Sequence, residues 1–166
     1  MLSKSMQITE PVTMLTDYAL GAASLYFGGS LLRVVNFRNR LTVRLWVIGF
    51  ITGAVAAFVG GTYHGFSLEL SASALRALWN ITIYSIGASG AFMVSGVLAS
   101  SIRRDDESRA WLLGGIMLTL AGFAVQLTGV RSHQDFNHND AYHMIQIAGL
   151  YLFFRGARLL EDRLTV

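Results

Sequence analysis

Asp17, His64, His138, Asp140 and His143 carry most of the chemistry available to this sequence. Two histidines and a carboxylate can hold zinc tetrahedrally and leave the fourth position to water. The expected metal ligands are His64 and His143 with either Asp17 or Asp140, and His138 as the substitute. Imidazole and carboxylate also suit iron or manganese, so these residues define a donor set rather than a metal. A water bound to such an ion becomes a nucleophile near neutral pH. The aspartate that is not a ligand would then act as general base. Asn80, Tyr18, Tyr63 and Tyr142 are donors suited to an oxyanion. The reaction expected is hydrolysis of a lipid amide or ester, with Asp17, Asp140 and Asn80 as the catalytic groups. No linear zinc signature such as HExxH is present, and His133 reads as a loop residue.

Spacing decides which of these groups can meet. His143 follows Asp140 by three residues, so a helix would put both on one face. Asp140 reads equally well as the N-cap of that helix. Gln146 lies one turn beyond His143, while His138 reaches the same centre only through a non-helical Asn137-His138-Asn139 approach. Asp17 sits about two turns into a long apolar run. A carboxylate in hydrocarbon costs several kcal/mol unless it is paired, hydrated or bound to a cation.

The elements that must position these groups are apolar helices. Of 166 residues 53% are hydrophobic and only 14% charged, against roughly a quarter charged in a soluble domain. The charges are bunched between long apolar runs. The pattern predicts an all-α polytopic transmembrane bundle of five spans over 12–35, 45–63, 74–99, 111–130 and 141–160, forming a single domain. Thr9 and Pro11 predict the start of the first helix, which reads as a retained span rather than a cleaved leader. Short connections predict antiparallel neighbours. Ten of the thirteen basic residues fall on one side: Arg33, Arg38, Arg40, Arg44, Arg103, Arg104, Arg109, Arg155, Arg158 and Arg163. Lys4, Arg76 and Arg131 fall on the other. This asymmetry predicts an N-terminus outside and a C-terminus in the cytoplasm of a bacterial-type inner or plasma membrane. All four histidines, Asp17, Asn80, Tyr84 and Gln126 then gather at the outer end. Gly53, Ala57 and Gly61, and likewise Gly87 and Ala91, predict close helix contacts. The net charge of +3 follows from topology and indicates no nucleic-acid partner, and the absence of cysteine removes disulfides and thiolate ligands.

The constellation resembles the membrane hydrolase superfamily of alkaline ceramidases and progestin and adipoQ receptors. His64 looks like that family's first histidine, His143 and His138 like its late pair, and Asp17 or Asp140 like its aspartate. The resemblance implies bound zinc and lipid hydrolysis. The chain departs from it in three respects. Five spans are expected here rather than seven, the late histidines are five residues apart rather than four, and Gly60 stands where a serine belongs. Two other readings use the same residues: a b-type haem between His64 and His143, and a non-enzymatic subunit of a membrane complex. The expected partners are membrane lipids, with a homo-oligomer or a larger assembly.

Overall fold

The first helix buries a stripe that is polar at one end and aromatic at the other. In the computed structural model, which describes residues 7–102, 106–129 and 136–163, α1 spans Pro11–Leu32. It buries Thr13, Asp17, Gly21, Ser24, Phe27 and Leu31, while Leu15, Leu25, Tyr26 and Leu32 are exposed. Polar groups turned inward and leucines turned outward are what a lipid environment favours.

The other helices are α2 Arg40–Gly65, α3 Ala72–Ala99, α4 Glu107–Thr128 and α5 His138–Ala157. Five helices therefore form close to the expected positions, but five crossings do not. Among the described residues only α2, α3 and α4 are long and apolar enough to cross a membrane, as a multi-pass membrane protein requires. The reason lies in the two helices that fail: Thr13, Thr16, Asp17 and Ser24 dilute α1, and His138, Asn139, Asp140, His143 and Gln146 dilute α5. Counting spans by length alone hid that dilution. The expected N-out, C-in orientation needs five crossings and does not follow from three candidate spans among the described residues. Of its marker residues, Lys4, Arg103, Arg104 and Arg131 lie outside the described residues, as does His133.

Local signals set the helix ends. Pro11 occupies the first turn of α1, but Glu10 rather than Thr9 is the N-cap. Ser71 caps α3 by accepting from the Ala74 amide at 3.2 Å. Gly129 closes α4 in the left-handed conformation, φ 63°, which costs glycine no Cβ clash. Asp140 is not the N-cap of α5. That position is Asn137, and Asp140 completes a capping box by accepting from the Asn137 amide at 2.7 Å.

Packing runs in the order α3–α2–α1–α5–α4, with α3 and α4 at the two ends and no substantial contact between them. The bundle is an arc with a slot rather than a closed ring. Gly61 brings α1 against α2, since a Cβ there would lie 2.7 Å from the Tyr18 ring. Gly53 faces Ser89 of α3. Gly87 and Ala91 do not mark a contact within the chain: both are exposed, and nothing lies within 4 Å of a Cβ built on Gly87. A core of Phe27, Leu31, Trp46, Phe50, Leu112 and Phe154 fills the end where Arg40, Arg44, Arg109 and Arg155 lie. Asp162 ties that end together by accepting from the Leu41 and Thr42 amides at 3.0 and 2.8 Å.

Candidate functional site

At the opposite end, the polar stripe of α1 meets the first turns of α5. Asp17 Oδ1 lies 3.1 Å from His143 Nε2. The other ring nitrogen, Nδ1, lies 3.0 Å from Thr16 Oγ1. That hydroxyl also reaches the Thr13 carbonyl at 3.0 Å and Asp140 Oδ1 at 3.4 Å. Thr16 and Asp17 lie three and four residues beyond Thr13 on α1, and His143 lies three beyond Asp140 on α5, so each set shares a helix face. Asp140 is fully buried, and Asp17 and His143 are 5% and 8% exposed. The Thr16 hydroxyl has one proton and several acceptors in reach, so its orientation decides whether Nδ1 donates or accepts. It thereby sets which protonation of Nε2 faces Asp17.

His64 does not join this group. Its Nδ1 lies 3.1 Å from Glu10 Oε2, a pairing that holds the start of α1 against the end of α2. The Thr9 amide donates to the Gly65 carbonyl beside it, at 2.9 Å. His138 is the first residue of α5, already helical rather than in an irregular approach, and its Nδ1 is buried without a partner. Asn80 is exposed on α3 and Tyr84 is 76% exposed, so neither points at the site.

A tetrahedral metal site of the expected kind does not fit these residues. Both ring nitrogens of His143 are engaged, by Asp17 and Thr16, and Nδ1 of His64 is engaged by Glu10. Among the described residues no three His, Asp or Glu side chains are grouped to hold an ion. With both of its ring nitrogens engaged, His143 is not free to pair with His64 as the second ligand of a haem iron. The hydroxyl–imidazole–carboxylate order Thr16–His143–Asp17 resembles a catalytic triad. Its polarity is reversed, because the carboxylate, not the hydroxyl, lines the cavity.

That cavity, about 680 Å³, runs the length of the arc. Asp17, His143, Gln126 and Gln146 line one end, and Trp46, Phe50, Val97 and Phe153 the other. Trp46 and His64, both in its wall, are eighteen residues apart on α2, a length of ~27 Å. Ile83, Ile86 and Val94 of α3 and Ile116 and Phe123 of α4 line it and are also exposed, so they form the lips of the slot. Asp17 Oδ2, Gln126 Oε1 and Thr119 Oγ1 belong to cavity-lining residues and are buried with no hydrogen-bond partner.

The residues that sequence reasoning missed are those whose role is relational. Thr16, Thr13, Glu10, Asn137 and Thr119 are ordinary polar residues until a second helix arrives. The spacing of Thr13, Thr16 and Asp17 was the one available signal.

Fold and site together define a helical membrane protein with an internal, laterally open cavity and a buried acid–imidazole pair. Its residues 12–113 and 91–162 match one family model, described as a family of unknown function (DUF6962). The chain belongs to that family. No curated protein and no solved structure matches it.

Proposed function

We propose that the chain takes one lipid-like amphiphile from the bilayer through the α3–α4 slot and hydrolyses an ester or amide bond at its headgroup. The observation that carries this reading is the cavity itself. It is apolar over most of its length, open between two helices whose exposed side chains are apolar, and polar at the end that holds Asp17 and His143. Its volume is that of a small-molecule site. An acyl chain would lie along Ile86, Met93 and Phe153, with the headgroup beside Asp17. Asp17 Oδ2, the oxygen turned away from His143, accepts a proton from water as the water oxygen bonds to the acyl carbon. The C–O or C–N bond then breaks, and the alcohol or amine leaves with that proton. His143 holds Asp17 through Oδ1, and Thr16 and Asp140 hold His143.

The test uses protein purified in a mild non-ionic detergent. Extraction should recover about one amphiphile per chain, and added acyl lipids should be cleaved. Asp17→Asn keeps the shape of the site and should retain the bound amphiphile while losing about 100-fold or more in cleavage rate. Cleavage by D17N at the wild-type rate would remove Asp17 from the reaction.

A second reading, a non-enzymatic subunit of a homo-oligomer or larger complex, is favoured by the exposed small face of Gly87, Ala91 and Ser95 on α3. It predicts that Gly87→Leu lowers the assembled mass and leaves amphiphile content unchanged.

A further inference from the structure

The polar end of the cavity has a hydrogen-bonding sign. Asp17 is nine-tenths buried, and its Oδ2 has no partner although the residue lines the cavity. Across the cavity, on α4, Gln126 Oε1 and Thr119 Oγ1 are buried and equally without partners. A carboxyl oxygen and an amide oxygen are acceptors, and a hydroxyl can accept. Buried polar groups are satisfied in folded proteins, and each one left bare costs about 1–3 kcal/mol. No lysine or arginine is among the described residues lining the cavity, so no permanently charged cation awaits a phosphate or carboxylate there. An anionic headgroup would face Asp17, with Asp140 close behind, and would leave the bare oxygens still without donors.

From these unfilled acceptors we infer that the headgroup bound beside Asp17 donates hydrogen bonds and carries no negative charge, as an ammonium or a hydroxyl does. This names the ligand class for the cavity and rests on the reading that an amphiphile occupies it. An ammonium or hydroxyl placed at Oδ2 supplies the donor that Asp17 lacks. An ammonium would have further donors for Thr119 and Gln126, whereas a hydroxyl has a single donor and would meet Thr119 by accepting from its hydroxyl.

Four single-chain probes of equal length separate the possibilities: hexadecylamine, hexadecanol, palmitate and hexadecyl phosphate. Binding to the full chain in non-ionic micelles is read from tryptophan fluorescence, since Trp46 and Trp79 line the cavity. The amine, the alcohol or both should bind about tenfold or more tightly than either anion. Asp17→Asn should weaken the amine by about tenfold or more while changing the alcohol little, which tells an ammonium site from a hydroxyl site. Thr119→Val leaves the Asp17–His143 pair intact and should weaken whichever donor probe binds. Anions bound as tightly as the donors would overturn the inference and leave the amphiphile reading standing. Failure of all four probes to bind would overturn both.

Discussion

Cutting the contact between Asp17 and His143 probes the centre of the site. The two groups meet at 3.1 Å, with side chains 8% and 10% exposed respectively. Asp17→Leu leaves His143 Nε2 without its hydrogen-bond partner. A buried polar atom stripped of its partner costs about 1–3 kcal/mol, which in a chain of this length lowers the melting temperature by ~2–12 °C. His143→Leu should cost more, about 3–5 kcal/mol if the carboxylate stays ionised, because it strips the partner from Oδ1 while Oδ2 has none already. Replacing both residues by leucine removes every unsatisfied atom of the pair. It should therefore cost less than the two single changes summed, by about 1–3 kcal/mol. Thermal unfolding in detergent, followed by circular dichroism, gives all corners of the cycle. If the double variant loses the sum of the single losses to within about 0.5 kcal/mol, the two side chains are not in contact and the site as described is wrong.

Four further outcomes follow from other contacts. Burial pushes the Asp162 carboxyl up, but hydrogen bonds from the Leu41 and Thr42 amides outweigh it and hold the group below its ordinary 3.8. A depressed carboxyl stabilises the fold above its ordinary value, and that contribution disappears as pH falls through the lower folded value. Melting temperature should therefore drop on acidification below about pH 4, and Asp162→Asn should remove that part of the slope. At Gly61 a Cβ would sit 2.7 Å from the Tyr18 ring and 3.0 Å from Asp17 Cβ. Gly61→Val should accordingly destabilise by about 1–3 kcal/mol in the same melting assay. Gly90 lines the cavity with open space around it, so Gly90→Phe should expel the co-purified amphiphile while shifting the melting temperature little. Asn137→Ala removes the capping interaction of α5 and should cost about 1 kcal/mol.

Hydropathy and helix punctuation are local properties, and they made much of this architecture legible in the chain. The five helices fall close to where the apolar runs and short connections place them, and Pro11 at the start of α1 marks what proline does to any backbone. The gathering of Asp17, His143, Gln126 and Gln146 at one end also follows from antiparallel order alone. What α1 and α5 do in a membrane does not follow from length, because a run of twenty residues looks like a span until its polar members are weighed. Pairing could not be read at all. A histidine takes whichever carboxylate the neighbouring helix offers, so His64 meets Glu10 and His143 meets Asp17, and among the described residues no three such side chains share a centre.

Length, composition and the spacing of charges were enough to determine a helical chain suited to lipid, with its ionisable groups at the helix ends. Tertiary structure alone decided the arc of five helices, the slot between α3 and α4, and the direction in which Asp17 points. The physical reason is that helix formation is driven by neighbours in the chain. The rotation of each helix, and hence the partner of every buried polar atom, is set by which small residues let two backbones approach, as Gly61 does for Tyr18 and Asp17.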